Sequence, residues 1–320
     1  MSDTRILLTG RDGQVGWELE RSLAPLGRVV ALARRDLDLA DPAAIRERVR
    51  GVRPDVIVNA AAYTAVDRAE SEPDLAEAVN ARAPAILAEE ARRLGAPLVH
   101  YSTDYVFDGA SAVPYREDDA TAPASVYGRT KRAGEEAVAA AGGPHCVLRT
   151  SWVYGTRGRN FFLTVCRLHR SGKPLRIVSD QLGAPTWSRW LADATATILV
   201  AGGILRGRLR DSFSEHAGVY HLAAAGETSW HGFAQAIVDG LATFGSGSEE
   251  GAQRSEVTPI ATSEYPTAAV RPARSVLATG KVAATWGVRV APWREQLGLC
   301  LAEYREREAL VSPRSASGSG

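Results

Sequence analysis

Five short apolar runs punctuate the first half of the chain: Arg5 to Thr9, Arg28 to Leu32, Asp55 to Asn59, Leu98 to Ser102 and Cys146 to Arg149, each bounded by turn or loop residues. Unbroken apolar character over so few residues predicts strands buried on both faces, as in parallel sheets. Between them, patterns of helical period run from about Val15 to Leu23, Pro42 to Val52, Pro73 to Leu94 and Ser125 to Ala141. A strand and a helix in alternation make the strands parallel, because each helix carries the chain back to the same edge. The pattern therefore predicts an α/β fold with a doubly wound, Rossmann-like parallel sheet over residues 1–150.

After Ser151 the alternation weakens. Turn-rich pieces, Asp180 to Thr186 and Pro266 to Ser275, fall between helical patterns near Leu191 to Val200 and Trp230 to Leu241. Residues 151–311 are expected to form mostly a smaller C-terminal substrate lobe, with later segments free to return to the sheet. Thr243 to Ser255, rich in Gly, Ser and Glu, reads as a surface loop, and 312–320, almost without apolar residues, as a disordered tail.

Composition removes several classes of function. With 45% apolar and 23% charged residues in 320, the chain has the make-up of an ordinary globular protein with a large core. A formal net charge of +1 gives no sign of nucleic acid or an anionic membrane as the principal partner, and neither is expected. Cys146, Cys166 and Cys300 lie far apart with no C-x-x-C, which fits buried reduced thiols rather than a disulfide framework or zinc knuckle. Met1 to Thr4 run straight into Ile6-Leu7-Leu8, and no stretch approaches the roughly 20 apolar residues of a membrane span. A cytoplasmic protein is expected.

The first strand ends in Gly10-Arg11-Asp12-Gly13-Gln14-Val15-Gly16, and a helical pattern follows at once. Glycines there let the backbone turn sharply and bring N–H groups against a pyrophosphate at a helix N-terminus. The G-x-x-G-x-x-G spacing, between strand and helix, predicts a dinucleotide cradle. At the end of the second strand the chain reads Ala33-Arg34-Arg35 before Asp36 and Asp38. Arg34 and Arg35 are suited to a ribose 2′-phosphate, which favours NADPH while leaving NADH open; Asp38 and Leu39 would flank the adenine.

Tyr127 and Lys131 stand four residues apart in a helical pattern and so share a face. A nearby ammonium stabilises phenolate, so Lys131 is expected to lower the proton affinity of Tyr127 and make it a usable acid. Reduction of a ketone needs such an acid, because hydride addition builds negative charge on the carbonyl oxygen. Lys131 is also in a position to reach the nicotinamide ribose. The strand Leu98-Val-His-Tyr-Ser-Thr-Asp104 ends in polar residues at the sheet edge where doubly wound folds bind ligands. Of its hydroxyls, Ser102 and Thr103, the second is expected to donate to the same oxygen as Tyr127.

With these segments assembled, the chain resembles the extended short-chain dehydrogenase/reductases, and within them the dTDP-4-dehydrorhamnose reductase family, to about Leu310. The resemblance rests on Gly10 to Leu26, Arg53-Pro-Asp-Val-Ile-Val-Asn-Ala-Ala-Ala62, Thr64-Ala-Val-Asp67, Ala69-Glu-Ser-Glu-Pro73, His100-Tyr-Ser-Thr-Asp-Tyr-Val-Phe107, Val126-Tyr-Gly-Arg-Thr-Lys131, Arg149-Thr-Ser-Trp-Val-Tyr154 and Asp180-Gln-Leu-Gly-Ala-Pro-Thr186. It implies Thr103, Tyr127 and Lys131 as the catalytic trio, Ala61, Ala62, Tyr63 and Thr64 against the cofactor, and Tyr101 near the nicotinamide. Asp104 and Trp152 would touch the sugar nucleotide. Arg271, in Val270-Arg-Pro-Ala-Arg-Ser275, would reach its diphosphate.

The implied reaction is NAD(P)H-dependent reduction of a dTDP-linked 4-keto-6-deoxysugar, dTDP-4-dehydro-β-L-rhamnose, in dTDP-L-rhamnose biosynthesis. Tyr105 stands where related 4,6-dehydratases place a glutamate, and Ser102-Thr-Asp-Tyr-Val-Phe-Asp108 departs from the run typical of epimerases, so reduction fits better than elimination. Reduction or epimerisation of another nucleotide sugar stays open, as does a non-catalytic NADP-binding regulatory subunit. So does the choice between monomer and homodimer. Some members hold magnesium between glutamates at a dimer contact; Glu18 matches one such position, but Arg189 falls near another, which argues against a metal. The six histidines show no metal-ligand spacing.

Overall fold

A computed structural model describes residues 4–243 and 255–311. Most of the loop expected over Thr243 to Ser255, and all of the tail expected over 312–320, lie outside the described residues. The five runs form β1 (Arg5–Thr9), β2 (Arg28–Leu32), β3 (Val56–Asn59), β4 (Leu98–Thr103) and β5 (His145–Thr150). A sixth strand, β6 (Gly218–His221), comes from the second half of the chain. The sheet order is β6-β5-β4-β3-β1-β2, and every pair is parallel.

Alternate residues of each strand feed opposite cores. Ile6, Leu8, Val56, Val58, Val99 and Leu148 pack on one face with the helix Ser188–Ala201, while Leu7, Ile57, Leu98 and Val147 pack on the other with Ile45, Val49, Ile86 and Leu87. Burial on both faces is why these strands read as continuous apolar runs. The chain leaves β1 for β2 on one side and returns to β3 on the other, so a crevice opens at the carboxyl ends of β1 and β3, the usual ligand position in such sheets.

A third core, built on Phe162, Leu175, Trp187, Phe233, Ile237, Trp293 and Leu297, lies in a lobe made only by the second half. That half does not stay there. After Trp187 it runs along the sheet through Leu191 and Ile198, then Phe213 and Tyr220. It re-enters the lobe at Phe233, returns to the sheet at Val282 and Trp286, and ends in the lobe from Trp293.

The helical stretch expected over Pro73 to Leu94 is present without a break, but with a wider turn inside it. It consists of Pro73–Glu77, a π-helical turn Ala78–Arg82, and Ala83–Leu94. Pro84 has no N–H to give the preceding turn, and the wide turn lets Asn80 face inward, where its side chain serves other elements. The helix Val126–Ala140 starts cleanly, with Ser125 accepting from Gly128 N at 3.1 Å.

Candidate active site

A cleft of about 510 Å3 opens at the β1/β3 crevice, within the range of small-molecule sites. Gly10, Asp12, Gly13, Gln14 and Val15 line one end. Gly10 has φ +82° and its N–H donates to Leu32 O at 3.0 Å; a Cβ there would lie 2.7 Å from Ala61 N. Gly16 lines nothing. It lets the helix Gln14–Ser22 press on the loop, since a Cβ would stand 2.0 Å from Gly10 O. Gly13 precedes that helix, no side chain caps it, and a Cβ would meet only Gly10 O at 3.2 Å. An uncapped helix start facing a cleft is suited to a diphosphate.

Next along the cleft come Leu32, Ala33, Arg34, Leu37, Asp38 and Leu39. The two arginines part company. Arg34 lines the cleft with no ion-pair or hydrogen-bond partner among the described residues, whereas Arg35 lies outside it and pairs with Asp12 at 3.3 Å and Asp36 at 4.0 Å. Of the expected pair, only Arg34 faces the site. The resident chemistry thus fits a phosphorylated dinucleotide: open N–H groups at one end and an unneutralised guanidinium beyond.

Ala60, Ala61, Ala62, Tyr63 and Thr64 form the wall after β3. Asn80, which sequence reasoning missed, holds them. Its Oδ1 accepts from Tyr63 N at 2.8 Å, and its Nδ2 donates to Tyr63 O at 3.1 Å and to Thr130 Oγ1 at 3.2 Å. One amide therefore ties this wall to the helix that carries Tyr127 and Lys131. Leu75, Val79, Thr150, Val153, Gly158 and Arg159 also line the cleft; Thr150 and Val153 stand in a quoted motif without a role, and the other four had no signal in the sequence.

Tyr101, Ser102, Tyr127 and Lys131 close the other end. Lys131 is 2% exposed, and its Nζ donates to Tyr101 O at 2.6 Å. Burial lowers its pKa to about 8, against a smaller raising effect of Glu135. The expectation that Lys131 lowers Tyr127 is corrected: burial of the phenol dominates and pushes it up to about 12. The Thr103 hydroxyl works against that rise and the Asp104 carboxylate adds to it, while the Lys131 amine is turned to the Tyr101 carbonyl. Tyr127 is thus a firmly protonated phenol.

Thr103 and Asp104 stand just behind. Thr103 Oγ1 donates to Asp104 Oδ1 at 3.0 Å and accepts from Tyr105 N at 3.2 Å. Asp104 is 2% exposed, its Oδ2 has no hydrogen-bond partner, and burial raises its pKa to about 6 against the lowering effects of Ser275, Thr103 and Ser151. Tyr105 packs its ring edgewise on Tyr127, centroids 5.5 Å apart. Arg271 lies over Tyr105 and pairs with Asp67 at 2.6 Å, leaving a buried Nη1 unpartnered. Trp152 has φ +46°, rare for a bulky residue, and its indole lies flat on Trp230 with centroids 3.6 Å apart. Asp104, Trp152 and Arg271 are not among the residues that line the cleft, and Trp152 stacks instead on Trp230 of the lobe.

Ser102 is positioned by a buried ion pair that the sequence did not announce. Glu135 accepts from Arg149 at 2.9 and 2.7 Å and from Ser102 Oγ at 2.5 Å. Elsewhere, Glu18 is buried beside Glu303, Arg189, Arg21 and Arg157, and burial first, then Glu303, raises its pKa. Of the arginines, Arg189 lies 4.0 Å from Glu303, whose Oε2 accepts no hydrogen bond. Among the described residues no group of three or more His, Cys, Asp or Glu is arranged to hold a metal.

With this geometry in hand, comparison with known proteins decides the family. Residues 4–306 match the family model described as the RmlD substrate binding domain. The dTDP-4-dehydrorhamnose reductase of Burkholderia thailandensis is 48% identical over 93% of this chain and 98% of its own length. The chain belongs to the dTDP-4-dehydrorhamnose reductase family. Solved structures of that family agree. The Clostridium acetobutylicum dTDP-4-dehydrorhamnose reductase superposes with a TM-score of 0.84 at 34% identity, covering 94% of this chain and 100% of the other. The Bacillus anthracis dTDP-4-dehydrorhamnose reductase, solved in complex with NADP, gives 0.82 at 31% identity, covering 94% and 99%. No described helix is long and apolar enough to cross a membrane.

Proposed function

We propose that the chain reduces the C4 ketone of dTDP-4-dehydro-β-L-rhamnose to give dTDP-β-L-rhamnose, with Tyr127 as proton donor and NADPH as reductant. The observation that carries this reading is one cleft with an uncapped, glycine-lined helix start and a free Arg34 at one end, and Tyr127 with Lys131 at the other. Gly13, Gln14 and Val15 would hold the diphosphate of the cofactor, Arg34 its 2′-phosphate, and Tyr63 and Thr64 its middle. When bound, NADPH supplies hydride to the carbonyl carbon.

The chain's own residues manage the proton. Tyr127, held protonated by burial, gives its proton to the carbonyl oxygen as negative charge develops there, and Thr103 lies beside it as a second hydroxyl. Lys131, cationic below about pH 8, offsets the phenolate that Tyr127 becomes. Asp104 and Trp152 would bind the sugar, and the unpartnered Nη1 of Arg271 would take up a substrate phosphate oxygen. The test is NADPH oxidation followed by absorbance, with the dTDP-keto-sugar set against a panel of other nucleotide keto-sugars. Turnover with the dTDP compound, reduced about 10²-fold or more by Tyr127→Phe, is expected; NADPH binding with no turnover of any keto-sugar would overturn the reading.

A further inference from the structure

Parallel register sets Thr9 beside Asn59 and Asn59 beside His100, so three polar side chains from β1, β3 and β4 stand in a row across the sheet. All are buried, with Asn59 and His100 at 0% exposure. They touch in sequence: Thr9 Oγ1 lies 2.6 Å from Asn59 Oδ1, Asn59 Nδ2 lies 3.0 Å from His100 Nδ1, and His100 Nε2 lies 3.4 Å from Lys131 Nζ. A polar row in a core is costly unless every member is satisfied, so its presence calls for a use. We infer that His100, backed by Asn59 and Thr9, is a positioning residue for Lys131, holding the amine at the Tyr101 carbonyl through a row of hydrogen bonds that reverses when the amine gains or loses its proton.

Donor counting carries the argument, which rests on the role given to Lys131 above. Burial, and after it the Lys131 charge, keep His100 well below its usual range, so the ring is neutral with one N–H to place. Facing an ammonium, Nε2 must accept. Nδ1 then carries the hydrogen, the Asn59 amide turns its oxygen to the ring, and its NH2 donates to Thr9. Facing a neutral amine, all three reverse: Nε2–H donates to Nζ, Asn59 Nδ2 donates to Nδ1, and Thr9 donates to Asn59 Oδ1, the orientation in which the amide stands here. Both rows leave no donor facing a donor. The groups acting on Lys131 are the Tyr101 carbonyl, His100 and, one turn along its own helix, Glu135; Tyr127, one turn back on that helix, lines the same end of the cleft and acts on the amine as its phenol ionises.

The first test reads the row directly in the wild-type protein. Nitrogen NMR of the His100 ring, assigned by its absence in His100→Gln, is expected to show Nε2 unprotonated at pH 6 and protonated at pH 10, with the change near pH 8. One tautomer throughout would overturn the inference. The second uses the pH profile of keto-sugar reduction. His100→Leu removes one charge-assisted bond to Lys131, so the basic limb of kcat/KM moves down by about one to two pH units. His100→Gln, with an amide oxygen in place of Nε2, keeps the limb near its wild-type place. If His100 only fills space, neither limb moves. Full activity in Lys131→Met would instead strike the proposed catalytic role and leave the tautomer result standing.

Discussion

Replacing Gly10 or Gly13 by alanine separates what the fold needs from what the ligand needs. At Gly10 a methyl group enters a left-handed backbone (φ +82°) and meets Ala61 N, Ala60 C and Ala60 O at 2.7 to 2.9 Å, all main chain at the end of β3. The left-handed conformation alone costs about 1–2 kcal/mol, and moving a central strand end adds about 1–3 kcal/mol of overpacking. Gly10→Ala is therefore expected to lose roughly 2–5 kcal/mol of stability by urea unfolding. At Gly13 the backbone is extended (φ −76°, ψ 165°) and the methyl meets only one carbonyl oxygen at 3.2 Å. Loss of a favoured helix cap residue costs about 1 kcal/mol at most. That methyl, however, occupies the space through which a diphosphate would approach the open N–H groups. Gly13→Ala should thus fold almost as well as wild type but bind NADPH about tenfold or more weakly in a fluorescence titration. A Gly10→Ala protein within about 0.5 kcal/mol of wild type would refute the steric reasoning, and unchanged NADPH affinity in Gly13→Ala would show that the diphosphate lies elsewhere.

Arg34→Ala should raise the KM for NADPH about tenfold with little effect on that for NADH, whereas Arg35→Ala, whose partners are Asp12 and Asp36, should change either by less than about threefold; equal effects would undo the distinction drawn between them. Arg149→Met leaves Glu135 buried without its bidentate partner, and a loss of about 3–5 kcal/mol is expected in denaturant unfolding; a loss under about 1 kcal/mol contradicts it. Asp104 has a folded pKa raised to about 6 from 3.8, so the folded state favours its protonated form. Its stabilising contribution is complete below pH 3.8 and lost as pH rises through about 6, roughly 3 kcal/mol in all. Asp104→Asn should accordingly gain stability relative to wild type between pH 4 and 7, and parallel stability curves would refute the assignment.

The sheet was legible because strands buried on both faces must be apolar throughout, and the glycine loop because its three glycines each answer a geometric need. The helix over Pro73 to Leu94 was legible from its period, but its π-helical turn was not, because Asn80 finds its partners at Tyr63 and Thr130, neither near in sequence. Tyr127 and Lys131 were found by spacing, yet their mutual influence was not, since burial depth and the turn of an amine toward Tyr101 O are tertiary facts. The same holds for Arg34 and Arg35: adjacent residues look alike on paper, and only the placement of Asp12 tells them apart. Glu135 and Arg149 joined no motif as a pair because the partners sit on different elements. His100 stood in a quoted motif without a role, and the parallel register that lines it up with Asn59 and Thr9 supplies one.

The repeated passage of the second half of the chain between the sheet core and the lobe core limits how such a protein can be recombined. Exchanging everything after Ser151 for the corresponding stretch of a relative would also replace the edge strand Gly218–His221 and the layer containing Leu191, Phe213 and Trp286 that covers one face of the sheet. To alter only the lobe, three separate segments must be exchanged together, around Phe162 to Trp187, around Phe233 to Val257, and from Trp293 onward. The lobe core and the stability of the sheet are therefore inherited as one block, and the lobe is altered more readily by point changes than by exchange of the whole second half.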